Sequence, residues 1–87
     1  MKAVNVGYGN AVAVSKITAV ISSESAPVTR LIQNAKDNNL AISATNGKKC
    51  RSVVFTDGDR IILSAIKPDT LARRIWGTIR EDEDDEI

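Results

Sequence analysis

The stretch LAISATNGKKCRSVVFTDGDRIILSAI, residues 40–66, holds three apolar runs separated by two turn dipeptides. Leu40, Ile42 and Ala44 alternate with their neighbours in the period of two that marks a half-buried strand. Asn46-Gly47 then supplies the residue types best able to take positive φ, which a tight hairpin turn requires. The run Arg51 to Thr56 is rich in Val and Phe, and Asp57-Gly58 turns it into Arg60 to Ile66. The spacing predicts a meander of three successive strands. A small sheet of this kind must be buried by other elements, so the flanking segments are read for what could cover it.

Immediately upstream the apolar period changes. Ser25 can cap a helix, Pro27 suits its first turn, and Val28, Leu31, Ile32 and Ala35 follow the i, i+3, i+4, i+7 spacing of a buried stripe. This helix is expected to end near Asn38-Asn39, with Thr29, Arg30, Gln33, Lys36 and Asp37 on its outer face. Further upstream, Val4 and Val6 alternate before the Gly7-Tyr8-Gly9-Asn10 turn, and AVAVSKITAVI (11–21) is rich in β-branched residues but interrupted at Ser15-Lys16. Downstream, Pro68-Asp69-Thr70 opens a second helix with Leu71, Ala72, Ile75, Trp76 and Ile79 in one broad stripe, and Gly77 weakens its end. The fold class is therefore α/β in the α+β sense, a small mostly antiparallel sheet with two helices. One domain over residues 1–79 is followed by an acidic tail, 80–87, too poor in apolar residues to fold.

The charges are sorted rather than mixed. Arg80 is followed by six consecutive acids, Glu81 to Glu86, whereas residues 1–79 carry eleven Lys/Arg against five Asp/Glu, a net of +6 under a total of +1. A basic folded body attracts polyanions, nucleic acid above all. Lys48, Lys49 and Arg51 cluster beside Gly47, where a turn would project them at phosphates; Lys16, Arg30 and Lys36 are further cations of the same body.

Composition argues against catalysis. Histidine is absent and Cys50 is the only thiol, which removes the commonest general base and leaves neither a disulfide nor a zinc cluster within one chain. Gly7-Tyr8-Gly9 lacks the third glycine of a dinucleotide fingerprint and the Gly-Lys-Ser/Thr ending of a P-loop, so a tight turn is the better reading. Arg73 and Arg74 sit where a helix C-terminus favours cations whatever the function, and Trp76 reads as packing, within the protomer or across an interface. A redox role for Cys50 is the remotest reading, since a half-buried cysteine in a strand is usually inert. No nucleophile with a partnered base emerges, so the chain is expected to be neither an enzyme nor a cofactor carrier. No segment approaches the roughly eighteen apolar residues of a membrane span, so a cytoplasmic protein with no membrane partner is expected. A core with one Trp, one Tyr and one Phe is small, which favours self-association.

Taken together, VGYGN (6–10), SESAPVTRLIQNAKDNN (23–39), ATNGKKCRSVV (44–54) and LSAIKPDTLARR (63–74) resemble the RemA-like family, regulators of extracellular matrix genes in bacteria. The resemblance implies a small DNA-binding transcriptional regulator of biofilm-matrix genes, nucleoid-associated, with a protomer similar to LytTR-type modules and a ring-shaped homo-oligomer around which promoter DNA wraps. It also implies DNA contacts at Lys16, Lys48 and Lys49, with Arg51 two residues further on; Arg30 and Lys36 are additional candidate contacts from the charge of the body alone. Lysine stands where the family pattern has arginine, so phosphate contact carries over while the planar fork that reads guanine does not. The alternative is a ring-forming module that binds RNA or protein and no particular promoter. The tail either competes with DNA for the basic body or only solubilises the chain. Ending the chain at Thr78 is expected to raise affinity for random duplex DNA at low salt, with the difference fading as salt is added; equal affinities throughout an anisotropy titration would leave the solubilising role.

Overall fold

The computed structural model describes residues 2–77; the acidic tail, the domain boundary at residue 79 and the predicted contribution of Ile79 lie outside the described residues. The chain runs β1 (Ala3–Gly7), β2 (Asn10–Ala13), a 3-10 turn (Val14–Lys16), β3 (Ile17–Ser22), α1 (Ala26–Asp37), β4 (Ala41–Ala44), β5 (Ser52–Thr56), β6 (Ile61–Ser64) and α2 (Pro68–Trp76). β1 and β2 form an antiparallel ladder, and the other strands form a four-stranded sheet in the order β3-β5-β6-β4. Within that sheet β3–β5 and β5–β6 are antiparallel and β4–β6 is parallel. This is the expected α+β class with a mostly antiparallel sheet and two helices.

Successive side chains of a strand point to opposite faces, and here both faces are covered. Val54, Ile62 and Ile17 pack with Val4, Val6, Leu71 and Ile75 beneath β1 and α2, while Val53, Ile61 and Leu63 pack with Ala35, flanked by Val28 and Ile32, beneath α1. Coverage on both sides explains why β5 and β6 read as continuous apolar runs rather than alternating ones.

Helix α1 begins where expected: the Ser25 hydroxyl accepts the Val28 N–H at 3.4 Å, and Asn39 takes the left-handed conformation (φ 60°) just past the end. The interruption at Ser15-Lys16 is the 3-10 turn that breaks the long β-rich run into β2 and β3. Two expectations are corrected. Residues 40–66 do not form a meander: β5 and β6 make a hairpin, but β4 pairs in parallel with β6. The Asn46-Gly47 turn does form, with φ of 52° and 80° and the Lys48 N–H bonded to the Thr45 carbonyl at 2.9 Å. It redirects the chain across the end of β6 instead of folding β5 back on β4. All four residues of β6 are buried, whereas Ile42 and Ser43 of β4 are exposed. The more apolar strand takes the central place with partners on both edges, and β4 is left at the edge. The second correction concerns the helical stripes: Leu31 is 42% and Trp76 55% exposed, so α1 buries Ala35 and α2 buries Leu71 and Ile75.

Two fully buried serines join the layers. The Ser64 hydroxyl donates to the Val6 carbonyl at 2.7 Å and accepts the Ile66 N–H at 3.1 Å, tying β1 and the β6–α2 link to the sheet. The neighbouring Ser52 hydroxyl donates to the Ile66 carbonyl. Ser64→Ala leaves the Val6 carbonyl and the Ile66 N–H without these partners. It is expected to lower stability by about 1–3 kcal/mol, read at fixed protein concentration as a lower urea midpoint with unchanged m value.

Candidate nucleic-acid interface

The β3–β5 register places the cations. Ile17 is opposite Thr56 and Ser22 is opposite Ser52, so the residues before β3 and those before β5 lie at opposite ends of the sheet, about 17 Å apart at 3.3–3.4 Å per residue. One end, the turn end, holds Lys16 and the β5–β6 turn. The other, the loop end, holds the 45–51 loop, the 65–67 link and the start of α1.

At the loop end the positive-φ turn carries Lys48 and Lys49 into solvent. Arg51 is held on both sides of its backbone: its N–H donates to Ser64 O at 2.8 Å and its carbonyl accepts the Ser23 N–H at 3.1 Å. The Ser23 hydroxyl adds a 2.8 Å bond to the Cys50 carbonyl. The β1–β2 turn belongs to the same end, because a Cβ on Gly7 would lie 3.1 Å from the Ala44 carbonyl; with φ at 125°, this position suits only glycine. Gly7-Tyr8-Gly9 is thus the tight turn its composition implied, with Tyr8 (φ 53°) exposed. Beside Arg51, a cleft of about 240 Å³ is lined by Ser22, Glu24, Arg51, Lys67, Pro68 and Asp69.

The two ends differ in how their cations are neutralised. At the turn end Lys16 lies 3.6 Å from Asp57, and a groove there is lined by Lys16 and Arg60 together with Asp57 and Asp59. Among the described residues the other ion pair is Arg73 with Asp69, at 4.0 Å, so Lys48, Lys49, Arg51 and Lys67 have no carboxylate within 4.0 Å. Arg74 is also occupied, its guanidinium donating to the Asn5 carbonyl at 3.0 Å and anchoring α2 to β1. Arg30 lies in the N-terminal half of α1, towards the loop end, and Lys36 in its last turn, towards the other.

The fold therefore gathers Lys48, Lys49 and Arg51, sets Lys16 apart from them, and divides Arg30 from Lys36. Lys67 was missed by sequence reasoning. It sits sixteen residues beyond Arg51 (51 to 67), and the antiparallel hairpin of β5 and β6, which sets Ser52 opposite Ser64, brings it alongside. Cys50 is half-buried with its thiol donating to the Ser52 carbonyl at 3.4 Å. Among the described residues no cluster of His, Cys, Asp or Glu could hold a metal ion, and no helix is long and apolar enough to cross a membrane.

Residues 3–75 match the family model RemA-like, described as extracellular matrix regulatory protein A-like. The chain belongs to the RemA-like family. It is 45% identical over 86 residues to a protein of Brevibacillus brevis, covering 99% of this chain and 98% of the relative. It is 44% identical over 87 residues to one of Clostridium kluyveri (100% and 95%) and 48% identical over 75 residues to one of Heliobacterium modesticaldum (86% and 82%). Each of these relatives is named "Putative regulatory protein". Membership and names together support a regulatory role for this RemA-like chain.

Lys16 and Asp57 are both more than half exposed, so their attraction is screened. The backbone bond from the Asp57 N–H to the Lys16 carbonyl, 2.9 Å, does not depend on the side chains. Lys16→Ala is expected to change the unfolding free energy by less than about 1 kcal/mol, measured by urea denaturation; a larger loss would make Lys16 a structural residue.

Proposed function

We propose that this RemA-like protein is a DNA-binding transcriptional regulator of bacterial extracellular-matrix genes. It works as a homo-oligomer, a ring, whose loop ends present Lys48, Lys49 and Arg51 to the phosphate backbone. The observation that carries this reading is the group of exposed cations at the loop end with no carboxylate within 4.0 Å among the described residues. Free cations release the counterions condensed on DNA when they meet phosphates, and that release drives sequence-independent affinity. Lys16, about 17 Å away by the strand rise, supplies a second and weaker contact because Asp57 must first let go of it. Arg30 adds to the loop end from α1.

Self-association is supported by the large apolar side chains a single protomer leaves exposed: Ile21, Leu31, Ile42 and Trp76 are each at least 40% accessible. Repetition of the loop end around an assembly would give a continuous cationic path able to bend DNA, and preference among promoters would come from how readily each sequence bends. The reading involves no catalysis and no cofactor, and it places the protein on the nucleoid.

Light scattering is expected to report several times the protomer mass. Lys48→Ala with Lys49→Ala is expected to keep that assembly and to weaken binding to every duplex sequence. The slope of log K against log salt should fall in magnitude by about 1.8 for each protomer touching DNA, at about 0.9 for every phosphate that is no longer neutralised. Wild-type affinity and slope in the double variant would overturn the reading, and an RNA duplex competing as well as DNA would shift it to the RNA-binding alternative.

A further inference from the structure

Of the lining of the cleft beside Arg51, only Arg51 itself belongs to the DNA contact made by the 45–51 loop. We propose that this cleft seats one backbone phosphate of duplex DNA between Arg51 and Lys67, with Glu24 on its rim acting against the phosphate. The proposal rests on the DNA-binding reading and adds to it a second loop, a new contact residue and a built-in brake.

Two cations from different loops converge on the cleft, and each is fixed at its backbone. Arg51 is bonded through both its N–H and its carbonyl. Lys67 precedes Pro68, whose ring restricts the residue before it to extended geometry, and Lys67 is found there at φ −61° and ψ 147°. The hydrogen bond between the Ser52 hydroxyl and the Ile66 carbonyl holds the two loops in register. Little conformational freedom is therefore lost from the backbone when a phosphate arrives.

The acids on the cleft wall are not equivalent. Asp69 has other partners as well, its carboxylate accepting the Thr70 N–H at 3.1 Å and lying 4.0 Å from Arg73, with both side chains more than half exposed. Glu24 has no cation within 4.0 Å among the described residues. Arg51 and Lys67, without an ion pair among the described residues, thus share the cleft with two carboxylates, one of which Arg73 also draws on; the cations can hold an anion there while the acids leave the attraction short of its maximum. The Ser22 hydroxyl accepts the Glu24 N–H at 3.3 Å, and its own O–H can donate to the same phosphate.

The test compares full-length wild type with Lys67→Ala, Lys67→Arg, Glu24→Gln and the Lys48→Ala, Lys49→Ala pair on one mixed-sequence duplex. Lys67 and Glu24 are exposed, so each variant is expected to keep the fold, to be checked by circular dichroism. Between about 50 and about 200 mM salt, Lys67→Ala should lose less affinity than wild type, by about 3.5-fold for each contacting protomer, as one phosphate contact at slope 0.9 requires. Lys67→Arg should keep the wild-type salt dependence, and Glu24→Gln should bind more tightly. Wild-type behaviour of Lys67→Ala, with the hairpin pair impaired, would overturn the cleft and leave the DNA-binding reading standing. No DNA binding, or no effect of the hairpin pair, would overturn both. Weaker binding by Glu24→Gln would also overturn the proposal. Inorganic phosphate at matched ionic strength should leave the DNA affinity unchanged; specific competition abolished by Lys67→Ala would reassign the cleft to a free anion.

Discussion

The arrangement depends on the Ser64 hydroxyl, fully buried and bonded to the carbonyl of Val6 and the N–H of Ile66. β6, like β5, contributes to both cores, and its C-terminal end is where β1, the 45–51 loop and α2 must meet. A buried polar group must find partners, because leaving one unmade costs more than a made bond contributes. Ser64 and its cross-strand neighbour Ser52 meet that demand by joining layers that apolar contact alone would leave free to slide. The loops at this end are short of apolar side chains, so these bonds and the flanking strand ends give them one conformation.

The same construction sorts the charges. The β5–β6 turn brings Asp57 and Asp59 near Lys16 and Arg60, so that the cations there have opposite charges close by. Arg73 and Arg74 are turned to α2 itself and to Asn5. Lys48, Lys49, Arg51 and Lys67, which have no described carboxylate within 4.0 Å, gather at the loop end, on turns whose backbone is held by Ser23, Ser52 and Ser64. For a chain whose formal charge is only +1, this separation matters more than the total. In the proposed reading, one end of the sheet meets the polyanion while the exposed apolar side chains remain for other copies.

Local structure was legible wherever the signal was itself local. Ser25 and Pro27 predicted the start of α1, Gly7-Tyr8-Gly9 a tight turn, and Asn46-Gly47 a turn with both central residues at positive φ; each lies where expected. The clustering of Lys48, Lys49 and Arg51 also followed from adjacency. Strand order did not follow, because a strand's apolar pattern records how much of it is buried and not which neighbour buries it. The Asn46-Gly47 turn is formed although the hairpin it suggested is absent, since turn geometry depends on φ at two residues and strand pairing on whether β4 takes β5 or β6 as its neighbour.

The sequence by itself determined the α+β class, the two helices, the turns, the basic body and the family. Only the tertiary structure decided that Lys16 and the 45–51 loop occupy opposite ends of the sheet, that Asp57 pairs with the one while no described carboxylate lies within 4.0 Å of the other's cations, and that Lys67 joins Arg51 on a single cleft. The physical reason is that composition and periodicity are short-range properties of the chain, fixed by each residue and its near neighbours. Which charges share a surface depends on strand register and crossover, and these emerge only when the whole core is packed.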